Sequence, residues 1–328
     1  MFKSCLEILL LICAGVFFSS CKSIPSTPDA NKPVVAQPTI TPTPVPTEIK
    51  PEVKPELKPE PVAVRKKNPP KIGLALGGGA ARGFSHVGVI KTLEAQGINI
   101  DIVTGTSAGS IVGALYSGGT NAFDLQKIAL AMDESVATDW TILPNRGVFK
   151  GESLQNYINQ ALGNRNIERL NKTFGVVATD LQSGEMAVFR QGNTGMAVRA
   201  SSSVPGVFQP MSISGREYVD GGLTSPVPVR AAKLLGADIV IAVDISKPPE
   251  AGKTGNGLDL LLQTFAIMGK SINYFELNEA QVVIRPNIGD MSPADFKAKH
   301  LAILEGERAA HGAVEKIRLT IERYYATP

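Results

Sequence analysis

No cysteine lies beyond residue 21 of this 328-residue chain. Cys5, Cys13 and Cys21 sit together at its start, which excludes a disulfide framework for everything that follows. Histidine is as scarce: His86, His300 and His311 are the only three. Neither a Cys/His cluster nor an acidic loop of calcium spacing occurs, so no metal and no organic cofactor is expected. Charge of one sign is also lacking. Lys and Arg number 33 against 30 Asp and Glu, a formal excess of +3 spread along the chain, and no nucleic-acid partner is expected from it.

What is present is an ordinary globular composition, 43% hydrophobic and 19% charged. Residues 1–20 read as a signal peptide, with Lys3 ahead of an apolar or small run from Ile8 to Phe18. That run is too short to span a hydrocarbon core of ~30 Å as a helix, but suits a signal-peptide core. It leads into Phe18-Ser19-Ser20-Cys21 and resembles a bacterial lipoprotein signal. The resemblance implies that Cys21 is lipidated as the first mature residue. Lys22 in place of Asp implies an anchor in the outer membrane of a bacterial cell envelope.

Residues 21–70 form the expected tether, for 22–70 hold 13 of the 23 prolines, in phrases such as "TPTPVPTEIKPEVKPELKPEP". Proline fixes φ and removes backbone donors, and few large apolar residues are present, so no core forms there. An extended polyproline II chain at ~3.1 Å per residue reaches on the order of 150 Å.

Residues 71–328 read as one α/β domain. The apolar runs "KIGLAL", "IDIVTGTS", "TFGVVATD", "EMAVFR", "ADIVIAVDIS" and "QVVIRP" predict strands. Between them "HVGVIKTLEAQG", "AGSIVGALYSGG", "ESLQNYINQAL", "VPVRAAKLLG" and "LLLQTFAIMGKSINYFELNEA" predict helices, with another from about Pro293 to Tyr325. Near-continuous Val/Ile strands between helices imply a three-layer α/β/α sandwich around a mostly parallel sheet.

Two glycine-bearing turns carry the chemistry. The first strand ends in Gly77-Gly78-Gly79, where backbone N–H groups can converge on an anion beside the start of a helix. The turn does not continue into G-x-x-x-x-G-K-[ST], which excludes a P-loop, and Asp101 stands before the second strand rather than at its end, against a dinucleotide fold. The second turn, Gly105-Thr106-Ser107-Ala108-Gly109, is a G-x-S-x-G between strand and helix, the setting of a nucleophile elbow.

A serine there needs a proton acceptor. Ser107, Asp220 and His300 or His311 have the order of an α/β-hydrolase triad. Both histidines, however, fall on one predicted surface helix, ~16 Å apart, instead of on a loop at a strand end. His86 lies in the first turn of a helix and reads as structural. A carboxylate is left, and Asp180, Asp220 and Asp244 each follow a strand-like run. Composition does not choose among them; local sequence favours Asp220, because Gly221 and Gly222 allow close backbone approach. An ordinary aspartate is a weak base, so the acceptor needs an apolar setting that raises its pKa.

"GGGAARG", "GTSAG" and "DGG", in that order, resemble the patatin-like phospholipase family over about residues 71–245, and "RASSSVPGVFQP" at 199–210 matches a further family segment. The resemblance implies a Ser–Asp dyad without histidine. Ser107 would be the nucleophile and Asp220 the proton acceptor, with an oxyanion hole at Gly77, Gly78 and Gly79 and a loop steadied by Arg82. Ala80 departs from the glycine common in bacterial members. The implied activity is hydrolysis of lipid acyl esters by a phospholipase or lysophospholipase A, at the membrane that holds the anchor. The alternatives are a Ser–Asp–His esterase and a non-catalytic lipid- or nucleotide-binding module.

Overall fold

In a computed structural model the described residues are 68–131, 151–249, 257–289, 291–292 and 295–326. The signal peptide, Cys21 and nearly all of the tether lie outside them. All described residues belong to one compact unit, Val64–Pro328. The buried hydrophobic side chains run from Ile72 to Ile317, so this unit carries its own hydrophobic core and meets the condition for folding alone.

Five short apolar segments make the parallel heart of the sheet: β1 (Ile72–Leu76), β2 (Ile102–Thr106), β3 (Thr173–Asp180), β7 (Ile239–Val243) and β8 (Val282–Ile284). They lie in the order β3-β2-β1-β7-β8. Strands β4 (Met186–Phe189) and β6 (Arg216–Asp220) run antiparallel to β3, and β5 (Met211–Ile213) is antiparallel to β6.

Alternation along the strands sends side chains into two separate cores. Leu74, Leu76, Val103, Phe174, Val176, Ile241 and Val243 pack with helices α1 (Phe84–Ala95), α2 (Ala108–Ser117) and α3 (Ala122–Ala131) and the C-terminal helix α8 (Lys299–Ala326). Ala75, Val240 and Ala242 point the other way, onto Val229 and Ala232 of α6 (Val229–Leu234). This is the expected α/β/α sandwich. Fully burying one Leu or Ile gives roughly 1.5–3 kcal/mol, so the first face supplies most of the apolar stabilisation. Among the described residues the remaining α-helices are α4 (Glu152–Ala161), α5 (Thr194–Ser201) and α7 (Gly257–Glu276).

The register of β3 decides where the functional residues fall. Strand β2 pairs with Thr173–Val177 and β6 with Ala178–Asp180, while β4 pairs with Val176–Thr179. The span of β4 overlaps both others, so it takes the opposite edge, and β2 and β6 share one edge end to end. Running parallel, β2 stops with Thr106 opposite Val177; β6, antiparallel, stops with Asp220 opposite Ala178. Two chain segments more than a hundred residues apart thus end facing each other over consecutive residues of β3.

Candidate active site

Ser107 follows β2 directly and caps α2 with φ 52° and ψ −121°. A non-glycine residue with positive φ costs of order 1–3 kcal/mol and is held only where its surroundings dictate it. Here they do. The Ser107 N–H donates to Ser201 Oγ at 2.9 Å, and Ser201 Oγ donates to Val177 O of β3. Thr106 Oγ1 donates to Ser225 O at 2.8 Å. Gly109 lets α2 start against β1, since a Cβ there would sit 2.1 Å from Leu76 O.

Asp220 ends β6 in a buried position. Its N–H donates to Ser203 O at 2.9 Å, and Oδ1 accepts the Gly222 N–H at 2.7 Å. Its carboxylate has the Ser107 side chain as a polar neighbour. Burial raises its pKa from the ordinary 3.8 to about 6, against the lowering effect of the Gly222 and Ser107 hydrogen bonds. Gly221 makes the close approach, for a Cβ there would meet Val177 O at 2.3 Å. Gly222 contributes its N–H instead.

The other two aspartates are committed elsewhere. Asp180 accepts from the Gln182 and Ser183 amides and pairs with Arg216. Asp244 accepts from Ser246 and from Arg285. His300 and His311 are exposed on α8. His86 is buried with Nε2 2.8 Å from Gly77 O, so Nε2 carries the hydrogen and donates; burial lowers its pKa to about 4 and keeps it neutral. Asp220 has Gly222 and Ser107 as partners, and no imidazole.

The glycine turn corrects one expectation. Gly77 N–H donates to Val243 O at 3.0 Å and Gly78 N–H to Pro226 O at 2.9 Å. Neither amide is available to an oxyanion, because each extends the hydrogen bonding that ties β1 to its neighbours. Gly78 still lies against the serine, its would-be Cβ 3.3 Å from Ser107 Cβ. The amides of Gly79, Ala80 and Ala81 have no protein acceptor among the described residues, and the loop can offer them as donors. Ala80 sits at φ 50°, so the alanine is held where glycine is at ease. Arg82 is buried and its Nε donates to Gly79 O at 3.3 Å, bracing the loop from behind.

Sequence reasoning missed what binds these parts together. Residues 224–228 form a strap: Ser225, Pro226 and Pro228 supply carbonyls to Thr106, Gly78 and Thr104 respectively. Glu276 on α7 anchors the strap, accepting from Ser225 Oγ at 2.6 Å and from the Arg230 N–H at 3.1 Å. The segment after α5 brackets both functional residues, Ser201 holding the serine and Ser203 the aspartate. Only the match of "RASSSVPGVFQP" to a family segment hinted at this.

An apolar cavity is lined by Ala80, Ala108, Ile111, Leu115, Tyr157 and Phe296 among others, Ala108 being the residue after Ser107. Its apolar lining suits an aliphatic chain. Among the described residues no three His, Cys, Asp or Glu side chains converge as metal ligands.

Comparison with known proteins agrees with this geometry. The patatin-like phospholipase family matches residues 74–233. An uncharacterized NTE family protein of Mycobacterium tuberculosis is 32% identical over 191 residues, 56% of this chain and 51% of that protein. The lysophospholipase NTE1 of Coccidioides immitis is 35% identical over 191 residues, but these make up only 12% of its length. This chain therefore spans about half the length of the mycobacterial relative and much less of the fungal one. Among solved structures, VipD from Legionella pneumophila has the same fold, with a TM-score of 0.51 at 14% identity, over 76% of this chain and 67% of that one.

Proposed function

Residues 74–233 belong to the patatin-like phospholipase family, and from that premise we propose that the protein is a serine acyl hydrolase of lipid esters, acting through a Ser107–Asp220 dyad. The observation that carries the reading is the meeting of the elbow serine with a buried carboxylate of raised pKa, where β2 and β6 end over consecutive residues of β3. Asp220 takes the hydroxyl proton while Oγ attacks the acyl carbon. The amides of Gly79 and Ala80 receive the tetrahedral oxyanion, where losing one donor costs about 10²–10³ in rate. Collapse expels the alcohol, which takes the proton from Asp220, and water then releases the acid from Ser107. The acyl chain occupies the apolar cavity that Ala108 helps to line. Lysophospholipids and phospholipids are the substrate class, in keeping with a type A phospholipase.

The test is labelling by a fluorophosphonate, which bonds only an activated serine, followed by mapping of the adduct. Attachment to Ser107 and release of fatty acid from a phospholipid or lysophospholipid are expected. An unlabelled, folded domain with no release would end the proposal in favour of a binding module.

The raised pKa of Asp220 sets the pH dependence. Only the ionised carboxylate accepts the proton, so kcat/KM for a soluble ester rises with pH through about 6 and levels above it. A profile flat down to pH 4.5 would remove Asp220 from the role of base.

We place the enzyme at the bacterial cell envelope, anchored through a lipid on Cys21. The lipoprotein-like signal and the proline-rich tether support this placement, and Lys22 supports the outer membrane. Metabolic labelling with a fatty-acid analogue, lost in Cys21→Ser, is its check.

A further inference from the structure

Helix α7 is built of two unlike faces. Its inner face holds the site: Glu276 binds the strap, and Gly269 lies within 3.5 Å of Pro226, counted from its would-be Cβ. The helix also packs on the Gly221–Leu223 turn beside Asp220. Its outer face carries Leu260, Thr264, Ile267, Met268, Ser271, Tyr274 and Phe275, spaced as one stripe along the helix. All seven are exposed, the five large apolar ones by 43% to 71%. No charged residue interrupts the stripe, and the exposed Lys270 flanks it. Such an uncharged, aromatic-bearing face over about four turns is uncommon in exposed surface.

We propose that this face docks on a lipid surface and presents the Ser107–Asp220 site to it. The inference rests on the lipid-ester reading above and adds the means by which the domain is oriented. The chain preceding the domain enters at Lys71, the start of β1, whereas the glycine turn stands at its other end, ~16 Å away along five residues. A leash that long, attached at the far end of the strand, keeps the domain near a membrane without turning the site toward it. A surface of the domain must supply the orientation, and α7 is the exposed apolar surface that packs on the strap and on the turn after Asp220. Charge agrees: the stripe has nothing to pair with a charged protein partner, while Tyr274 and the Thr264 and Ser271 hydroxyls suit the headgroup boundary. Among the described residues no helix is long and apolar enough to cross a membrane, so α7 lies on the surface.

The experiment uses residues 68–328 carrying Ser107→Ala, sedimented with vesicles of ether-linked phosphatidylcholine, which cannot be hydrolysed. The domain is expected to bind. Ile267→Ser combined with Phe275→Ser should weaken binding by about tenfold or more. The same pair placed in the active domain should leave turnover of a soluble p-nitrophenyl ester within about twofold. Leu301→Ser, an equally exposed apolar site on α8, should bind as the parent does. The proposal is overturned if the parent does not bind, if the α7 pair binds as the parent does, or if Leu301→Ser is as weak. It is also overturned if light scattering shows a dimer that the α7 pair converts to a monomer, since a second copy would then cover the face. Loss of binding in the α7 pair, together with no ester turnover in the active domain, would uphold docking and sink the hydrolase reading alone.

Discussion

Asp220→Asn is expected to lower kcat/KM for a short p-nitrophenyl ester by about 10³–10⁴, close to the effect of Ser107→Ala, because the two groups act as a unit. The amide still accepts the Gly222 N–H, so the turn after β6 stays in place, but it cannot take a proton from Ser107. His86→Ala offers the contrast. That ring braces Gly77 O, so its removal lowers stability first, and the folded enzyme keeps its pH profile. Were Asp220→Asn active and His300→Ala or His311→Ala dead, the dyad would give way to a triad.

Stability moves the opposite way. A carboxyl whose pKa rises from 3.8 to about 6 on folding binds its proton more tightly in the folded state. Its contribution is therefore complete below pH 3.8 and is lost as pH rises through about 6. At pH 8 the ionised group costs the fold roughly 3 kcal/mol. Asp220→Asn should then melt higher than the parent at pH 8 and no higher at pH 4. A variant that is less active and less stable at pH 8 would mean that the carboxylate is favourable where it sits, contrary to its burial.

The second large effect is on folding. Helices α1 and α8 touch backbone to backbone through two glycines. A Cβ at Gly88 would lie 1.9 Å from Ile303 O, and one at Gly306 would lie 2.0 Å from Ser85 O. Neither neighbour is a flexible side chain, so Gly88→Ala must force the helices apart. That would unseat Ile303, Ala310 and Ile317 from the larger core and strain the Lys91–Glu307 pair. A loss of about 3 kcal/mol is expected, or roughly 6–12 °C in Tm for a domain of this size. Gly312→Ala on the same helix meets nothing within 4 Å, and should raise stability by up to about 1 kcal/mol through helix propensity. Equal thermal denaturation curves for Gly88→Ala and the parent would show that the helices yield at no cost.

The sequence by itself determined what depends on near neighbours in the chain. Alternating Val/Ile runs announced β1, β2, β3 and β7, because a strand buried on both faces must be apolar throughout. The G-x-S-x-G between strand and helix marked Ser107, because a serine forced into positive φ needs glycines where backbone meets backbone. Helices α3 and α5 fall outside the segments whose sequence predicts a helix. Local signal also failed at the glycine turn, where residue type shows which backbones can bend but not which amides the sheet has already engaged. Gly221 and Gly222 favoured Asp220 over Asp180 and Asp244 in the sequence, and the tertiary structure supplies the reason. All three end strands, but β3 brings β6 head to head with β2, while Arg216 and Arg285 engage the others. It alone revealed the strap, Glu276 and the outward face of α7. These arise from contacts between segments tens to hundreds of residues apart, set by register and helix crossing, and no stretch of sequence encodes them singly.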